Sequence, residues 1–291
     1  LLIYVFINGL FETFLFLFIR KYKKYQYICT ESLRTLIPME SQILRLLDQL
    51  PPISLDEMKD IKLMNRIDKK YLATIGQLEQ LLVLAQGKCM VQQIEGKRYN
   101  RYHTIYLDTP DEEMYTMHHN GRLVRQKVRV RTYLDSSDTF LEVKNKNNHG
   151  RTKKKRMVVN GVDTLREDAG DMLLSKYANY LLADLVPKVE NRFERITLVN
   201  MAKTERLTID CHVRFHHLET DIHDTFDRLV IIELKRDGNV YSPVKDLLRE
   251  LRIKPSGFSK YCIGSALTNP RLKRNRFKSR FKKIDKLLNK Y

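Results

Sequence analysis

The sequence predicts an α+β fold in which antiparallel strands form a barrel or a sandwich with helices packed on it. Eight or nine strand-like segments succeed one another between residues 66 and 236, with few helical segments among them. Turn-forming sequences, 135-DSSD-138 and 147-NNHG-150, join neighbouring segments as hairpins. Strands in hairpin succession with few helices are typical of antiparallel barrels and sandwiches.

The individual elements follow from the spacing of apolar residues. Helical spacing occurs at 41–50, 76–86, about 163–185 and 243–252, and it is clearest in Leu78, Leu81, Leu82 and Ala85. Alternating or strand-like segments lie at 66–74, 88–95, 98–108, 122–134, 139–147, 152–159, 188–199, 205–216 and 226–236.

Composition and charge narrow the class of protein. Of the 291 residues, 43% are hydrophobic and 30% charged, which is a globular composition with enough chain for a sizeable core. The net charge of +18 indicates an anionic partner, whether nucleic acid, phosphates or an anionic membrane. Residues 39–269 contain no Gly-rich phosphate loop, no G-x-S-x-G and no H-E-x-x-H, so the usual signatures of NTPases, serine hydrolases and zinc proteases are missing.

The first 38 residues differ in composition from the rest of the chain. Residues 1–19 are almost wholly apolar and precede 20-RKYKK-24, a pattern that could span a bilayer with its positive flank on the cytoplasmic side. Glu12, near the centre, opposes insertion. Met39 opens a segment typical of a soluble protein, so residues 1–38 are either a membrane anchor or a mis-extended start.

The last residues, 271–291, form a strongly basic tail. Phe277, Phe281, Ile284 and Leu288 recur at helical spacing among many cations, which predicts a basic amphipathic helix suited to an anionic membrane surface or an acidic partner. A disordered, solvated tail is the alternative. The chain thus divides into residues 1–38, a body at 39–270 and the tail at 271–291.

The cysteines and histidines show no metal-binding pattern. The four cysteines are far apart without C-x-x-C spacing, which favours free, mostly buried thiols in a reducing compartment. The eight histidines have no ligand-like spacing relative to them, so zinc is not expected. His118, His119, His216 and His217 are interpreted as solvated loop residues.

Several strands carry cations on one face and apolar residues on the other. In 127-KVRVRTY-133, Lys127, Arg129 and Arg131 share a face opposite Val128 and Val130. The same alternation recurs in 140-FLEVKNK-146, 152-TKKKRMVV-159, 206-RLTIDCHVR-214 and 231-IIELKR-236.

This alternation suggests a tunnel. If the charged faces looked outward, the apolar faces would fill a barrel core and the amphipathic helices would have no apolar partner. A barrel with charged faces inside and helices outside satisfies both, and its crowded cations would need an anion to neutralise them. A phosphate-binding tunnel is therefore the hypothesis, and a basic outer surface is the alternative.

Eight short pieces occur in order along the chain: 66-RIDKKYL-72, 105-IYLDT-109, 127-KVRVRTY-133, 140-FLEVK-144, 192-RFER-195, 206-RLTID-210, 232-IELK-235 and 256-SGFSKY-261. Together they resemble the VTC domain, the polyphosphate-polymerase branch of the triphosphate tunnel metalloenzyme (CYTH-like) superfamily. The resemblance covers residues 62–266 and implies an antiparallel eight-stranded β tunnel with helices outside. It also implies an enzyme that transfers the γ-phosphoryl group of ATP onto a polyphosphate chain with a divalent metal, Mn²⁺ or Mg²⁺.

The resemblance assigns roles to particular residues. It implies catalytic cations at Arg129, Arg131, Lys144, Arg195 and Arg206 and further phosphate-binding groups at Lys70, Lys154, Arg156, Ser259 and Lys260. Glu233 would hold the metal, with Glu142 as a second candidate. On strand 192–195 only one of Glu194 and Arg195 can face the lumen, and we expect it to be Arg195.

The implied partners are ATP and polyphosphate. A membrane protein or an anionic membrane surface is a further candidate partner, nucleic acid is not expected, and the location would be cytoplasmic or at the cytoplasmic face of a membrane.

Hydrolytic tunnel enzymes usually open with E-x-E-x-K, whereas this chain has Arg66, Asp68 and Lys70. Losing a carboxylate favours the polymerase, while a tunnel triphosphatase or a non-catalytic polyphosphate binder stays open.

Overall fold

A computed structural model of the protein describes residues 41–59, 61, 66–238 and 240–289. The expectations for residues 1–38 lie outside this range. Within it, no helix combines the length and the apolar character needed to cross a bilayer.

The strands are β1 (Pro52–Ile53), β2 (Arg66–Thr74), β3 (Cys89–Gln92), β4 (Asn100–Asp108), β5 (Arg125–Tyr133), β6 (Thr139–Lys146), β7 (Thr152–Val158), β8 (Val186–Asn200), β9 (Glu205–His217), β10 (His223–Phe226) and β11 (Leu229–Asp237). The helices are α1 (Ser41–Asp48), α2 (Leu55–Lys59), α3 (Ile75–Leu84), α4 (Glu113–His119), α5 (Gly170–Tyr177), α6 (Pro243–Glu250), α7 (Lys260–Thr268) and α8 (Lys278–Leu288). Short 3₁₀ turns occupy Leu182–Asp184 and Asn275–Phe277.

Eight strands form one curled antiparallel sheet in the order β2-β11-β9-β8-β4-β5-β6-β7. β10 extends the sheet beside β9, and β3 joins β8 to the short β1. The sheet curls into a half-barrel, which confirms the antiparallel eight-stranded tunnel fold that the sequence indicated.

The two faces of the sheet differ as the alternation predicts. Val128, Val130, Leu141 and Val143 are buried in the main hydrophobic core together with Leu174 of α5. Each of these strand residues alternates with a charged residue, which therefore lies on the opposite, concave face. Helix α3 begins with a capping box in which Thr74 accepts from the Gln77 N–H, and it packs against β2 and β11. Charged residues inside and helices outside are thus both observed.

Helix α7 packs against the cation-bearing face of the sheet. Its Tyr261 ring lies 5.0 Å from the ring of Tyr106, whose cross-strand partner is Arg129. Ser259 caps the helix by accepting from the Cys262 N–H. No helix was predicted here because nearly every residue of α7 is buried, so its sequence has no polar face to reveal the period.

Two helical expectations change in the structure. The segment predicted at 163–185 is helical only in α5, which begins after Ala169 at a positive φ of 58° and ends at an extended Ala178. The tail forms α8 as an amphipathic helix, but Phe277 and Ile284 are buried in the main core. The apolar stripe that could have entered a membrane therefore packs on the barrel, and the basic side chains remain on its outer side.

The packing contact between α7 and β9 gives a first prediction. A Cβ on Gly264 would collide with the Phe215 ring, meeting Cε1 at 2.8 Å, whereas a Cβ on Gly76 of α3 would meet nothing within 4 Å. We expect Gly264→Ala to lower the free energy of unfolding by about 1–3 kcal/mol because a packed interior resists added volume. Urea denaturation measures this. Gly76→Ala is the matched control and should be neutral or slightly stabilising, since alanine favours a helix. Equal effects of the two substitutions would contradict the packing of α7.

Candidate functional site

The register of the sheet brings the predicted cations side by side on the concave face. Lys127, Lys144 and Lys154 are successive cross-strand partners on β5, β6 and β7. Lys70 and Glu233 are partners on β2 and β11. Side chains that are directly opposed across strands point the same way, so these groups converge.

One group of charges centres on Asp210. Its carboxylate accepts two hydrogen bonds from the Arg195 guanidinium, at 2.6 and 2.8 Å, and a further short one from the Lys260 ammonium. Although burial alone would raise the pKa of Asp210, Arg195 and Lys260 hold it well below its usual range. Burial, with a contribution from Arg195, lowers the pKa of Lys260 to about 8 despite the nearby carboxylate. Asp210 thus serves as an internal counterion for two cations that also face the lumen.

A stacked aromatic pair supports the same cations. The rings of Tyr102 and Phe193 lie 5.1 Å apart and nearly parallel. The Lys260 ammonium is 4.2 Å from the centroid of Phe193, the Arg195 guanidinium is 5.0 Å from that of Tyr102, and the Arg131 guanidinium is 5.5 Å from that of Tyr102. The negative ring faces stabilise the three cations where water is scarce. These aromatic residues were not assigned a role from the sequence.

A second group centres on Glu142. Its Oε2 accepts from the Arg129 guanidinium at 2.7 Å and its Oε1 accepts from the Lys154 ammonium at 2.9 Å, and the side chain is fully buried. This geometry does not favour Glu142 as a metal ligand, because both carboxylate oxygens already bind cations, and its assignment to the metal stays a prediction. Its role in the structure is to hold Arg129.

Glu233 is different, since its carboxylate remains accessible. About a quarter of the side chain is exposed to the lumen, and its Oε2 lies 3.6 Å from the Lys235 ammonium. Burial alone would raise the pKa of Glu233, but Lys70, Lys235 and Arg195 lower it to about 2, so the group is ionised at neutral pH. An accessible carboxylate is a suitable ligand for a hard divalent cation such as Mg²⁺ or Mn²⁺.

The N-terminus of α7 supplies the third group. Lys127 donates to Ser259 Oγ at 2.8 Å, and Ser259 Oγ also accepts from the Cys262 N–H, so its own hydrogen is left to donate elsewhere. Lys70 donates to the Phe258 carbonyl at 2.8 Å. Lys127 was not among the assigned site residues, although its position in the strand 127–133 already placed it beside Arg129.

The remaining cations lie nearer the margins of the concave face. Arg156, on β7, packs against the Phe140 ring at 4.4 Å and is exposed. Arg206 lies four residues before Asp210 on β9, about 13 Å along the strand, and donates to the Met58 carbonyl at 3.1 Å. Arg206 thus joins the lumen to α2 and stands apart from the central groups.

Crowding changes the acidity of the central cations. Arg129 above all, and then burial, lowers the pKa of Lys144 well below its usual range. Burial, Arg129 and Arg195 lower the pKa of Arg131 to about 10. Each lowered pKa means that neighbouring cations and burial disfavour the charged form of the side chain. An anion that binds in this space would reduce that repulsion.

The structure also settles the orientations that the sequence left open. Glu194 pairs with His212 at 2.9 Å on the face opposite the lumen, while Arg195 faces Asp210, as expected.

The interpretation of four histidines as solvated loop residues is wrong. His118 and His119 belong to α4, His216 and His217 end β9, and the side chain of His217 is fully buried.

The observed fold is an antiparallel half-barrel with arginine and lysine side chains converging on its concave face, a cation-lined tunnel fold. Residues 65–269, well over half of the chain, match the VTC domain, and the chain belongs to that family. Among curated proteins, none matches this chain.

Solved structures with a similar chain path are distant in sequence. A Hippeastrum protein described as having a dominant triphosphatase activity is 15% identical, with a TM-score of 0.44 over 70% of this chain and 96% of that one. A structural-genomics target from Vibrio parahaemolyticus is 11% identical, with a TM-score of 0.43 over 69% and 99%. The PH1819 protein of Pyrococcus horikoshii is 14% identical, with a TM-score of 0.40 over 69% and 98%.

The Asp210 group gives a prediction on stability. Asp210→Asn removes the counterion of Arg195 and Lys260, so we expect the free energy of unfolding without ligand to fall by about 3–5 kcal/mol. Tripolyphosphate should recover more stability in this variant than in the parent protein, because it replaces the lost negative charge. Urea denaturation with and without tripolyphosphate measures both effects.

The matched control is Asp56→Asn, which breaks an exposed pair with Lys59 and should change little. An Asp210→Asn protein that gains no more from tripolyphosphate than the parent protein does would contradict the role of Asp210 as a counterion.

Lys260 gives a prediction on pH. Because its pKa is about 8, the ammonium is present at pH 7 and is mostly lost at pH 9, so affinity for tripolyphosphate should fall about tenfold over that interval. Lys260→Arg keeps the charge and should flatten the decline, and comparison with the parent protein cancels titration of the ligand. Titration calorimetry at several pH values measures the affinities.

A second group titrates nearby and needs its own control. Burial would raise the pKa of Tyr106, but Arg129 and Arg131 lower it to about 8. Tyr106→Phe removes its contribution. Equal pH slopes in the parent protein and in Lys260→Arg would show that Lys260 does not bind the anion.

Proposed function

We propose that this protein is a metal-dependent, polyphosphate polymerase-like phosphotransferase that moves the γ-phosphoryl group of ATP onto a polyphosphate chain. The observation that carries the proposal is the combination, on one concave face, of converging arginines with the accessible carboxylate of Glu233. Membership of the VTC family supports it, since that family includes polyphosphate polymerases.

The chemistry asks for positioning and charge neutralisation more than for a protein nucleophile. The terminal oxygen of a polyphosphate chain is already an anionic nucleophile, so no Ser-His pair is needed. Arg129, Arg131 and Arg195 present planar guanidinium groups suited to phosphate oxygens. Because Glu142 and Asp210 already hold two of these guanidinium groups in place, little reorganisation is needed when the substrate binds.

Ser259, Lys127 and Lys70 would bind one end of the phosphate chain. Both lysines are held at the N-terminus of α7 by contacts with Ser259 Oγ and the Phe258 carbonyl. The Ser259 hydroxyl hydrogen can donate to a phosphate oxygen, since the hydroxyl oxygen already accepts from two donors. Arriving phosphates would raise the pKa of Lys144 and Lys260, because the anion favours the protonated forms.

Enzymes of the tunnel class use divalent metal ions, and the donors present fit one. Glu233 would be the single protein ligand, and phosphate oxygens would complete a coordination shell of the kind that Mg²⁺ and Mn²⁺ adopt. The bound ion would neutralise charge that develops between the transferred group and its leaving group. Because four cations surround Glu233, the ion should bind well only together with phosphate.

A second candidate is a tunnel triphosphatase, and the position of Asp68 favours it. Asp68 of β2 is the cross-strand partner of Lys235, so it lies on the concave face near Glu233. A second carboxylate at this place could help activate water on a metal. The absence of the paired glutamates typical of hydrolases, with Arg66 and Asp68 in their positions, favours the transferase.

The deciding experiment uses the full 291-residue chain with ATP, Mn²⁺ and a short polyphosphate primer. We expect a ladder of lengthening products on a polyacrylamide gel. Glu233→Gln should reduce elongation at least a hundredfold while tripolyphosphate binding persists, because the cations remain in place. Glu250→Gln, which changes an exposed glutamate at the end of α6, is the matched control.

The alternatives give different outcomes in the same experiment. Orthophosphate released from tripolyphosphate without elongation would identify a triphosphatase. Binding without any turnover would identify a non-catalytic binder, and Glu233→Gln would then be indistinguishable from the parent protein.

A further inference from the structure

A second group of metal-ligating side chains lies on the convex face of the sheet, where β9 turns into β10. His216 and His223 are direct cross-strand partners, and their rings stack 3.9 Å apart and nearly parallel. Asp221, in the turn between them, lies with its Oδ1 2.8 Å from His216 Nε2 and 3.9 Å from His223 Nε2. Two imidazoles and one carboxylate therefore present their ligand atoms to one small volume, within 4.8 Å of one another.

This group is separate from the tunnel. His216 alternates with Phe215, which packs against α7 on the concave side, so His216 projects to the convex side. Asp221 and His223 are largely exposed, at 87% and 59% of their side-chain surface. The cluster is open to solvent and can exchange an ion without passing through the phosphate-binding face.

A carboxylate behind His216 orients its ring. Glu190 Oε1 lies 3.4 Å from His216 Nδ1, and Glu190 Oε2 lies 2.7 Å from His103 Nε2. A hydrogen bond from His216 Nδ1–H to Glu190 leaves Nε2 as the nitrogen that faces Asp221 and His223. Histidines that ligate metals commonly donate their other N–H to a carboxylate, which fixes the tautomer and strengthens the ligand.

We propose that His216 Nε2, His223 Nε2 and Asp221 Oδ1 form a binding site for Zn²⁺ or a similar borderline transition-metal ion. Such ligands lie about 3.3 Å apart around a tetrahedral zinc ion with bonds near 2.0–2.1 Å. Because an imidazole lone pair lies in the plane of its ring, the two parallel rings do not yet point at one ion, and binding needs rotations that turn His223 out of the stack and bring Asp221 closer. The two exposed residues are free to make them. Water would occupy the fourth position, and any proton on His216 Nε2 would pass to solvent as the metal bound.

The ligand set selects the class of ion. Two imidazole nitrogens and one carboxylate oxygen suit Zn²⁺, Co²⁺, Ni²⁺ or Cu²⁺, whereas Mg²⁺ and Ca²⁺ prefer oxygen ligands. This site is thus distinct in chemistry from Glu233 in the tunnel. A bound ion would join β10 and the turn at 217–222 to β9. It would therefore act on the outer edge of the sheet and not on the phosphate-binding groups.

No sequence motif marks this site, because its ligands are not spaced like those of a cysteine-containing zinc motif. The ligands lie at 216, 221 and 223, and only the pairing of β9 with β10 brings the two histidines face to face. The orienting carboxylate comes from β8, which is remote in sequence.

The experiment titrates metal-free full-length protein with Zn²⁺ by calorimetry in excess Mg²⁺, which occupies the oxygen-ligand sites. Side-chain nitrogen NMR of the histidines runs in parallel. We expect saturable binding at this site, with the Nε2 resonances of His216 and His223 moving together. His223→Ala and Asp221→Asn should each weaken binding at least tenfold. Asn tolerates the positive φ of 55° at position 221, so that variant should fold normally.

Two controls keep the result specific. His149→Ala removes an exposed histidine outside the cluster and should leave Zn²⁺ affinity unchanged. Glu233→Gln should also bind Zn²⁺ normally, since it alters only the tunnel. The proposal is overturned if no binding is detected. It is equally overturned if both site variants bind as tightly as the parent protein, or if the NMR changes occur at other histidines.

Discussion

The repulsion between cations crowded on the concave face is the constraint on which the rest of the structure depends. The strands hold Arg129, Arg131 and Arg195 close together, and the lowered pKa values of Arg131 and Lys144 record the cost. The chain offsets that cost with Glu142 and Asp210 as buried counterions and with the stacked rings of Tyr102 and Phe193 as a neutral support. Removing a single buried partner would leave a charge without compensation, whereas the complete set lets a folded, ligand-free tunnel exist.

The same arrangement separates two kinds of carboxylate by their surroundings. Glu142 has both oxygens engaged and no exposed surface, so it can only position cations. Glu233 lies among cations without a close bidentate partner and stays open to the lumen. A charge-alternation pattern cannot distinguish these cases, because both residues follow the same strand periodicity. The difference arises from which cross-strand neighbours reach each oxygen, and it leaves the Glu233 carboxylate open to the lumen.

Much of the sheet could be predicted from the sequence, because each strand is amphipathic and its polar side is unusually rich in cations. Strand β2 has the predicted bounds, and β5, β6 and β7 differ by only a few residues. Helix α7 could not be predicted, since it is buried all round and has no polar stripe. The counterion role of Asp210 and the contact of Lys127 with Ser259 were also beyond reach, because they join β9 and β5 to a helix that is distant in sequence. Periodicity gives the direction of a side chain along one strand but not the partner it meets across the barrel.

The last strand of the sheet, β7, has a consequence for how the protein behaves in a crowded solution. Within the described residues it is paired on one side only, so its other side presents unsatisfied backbone groups. Such an edge invites a second molecule to add its own strand and so begin aggregation. Here the edge carries four successive positive side chains, Lys153, Lys154, Lys155 and Arg156. Two project to each face, so an identical edge approaching it would be repelled from both sides, and the barrel can remain open without adhering to its copies.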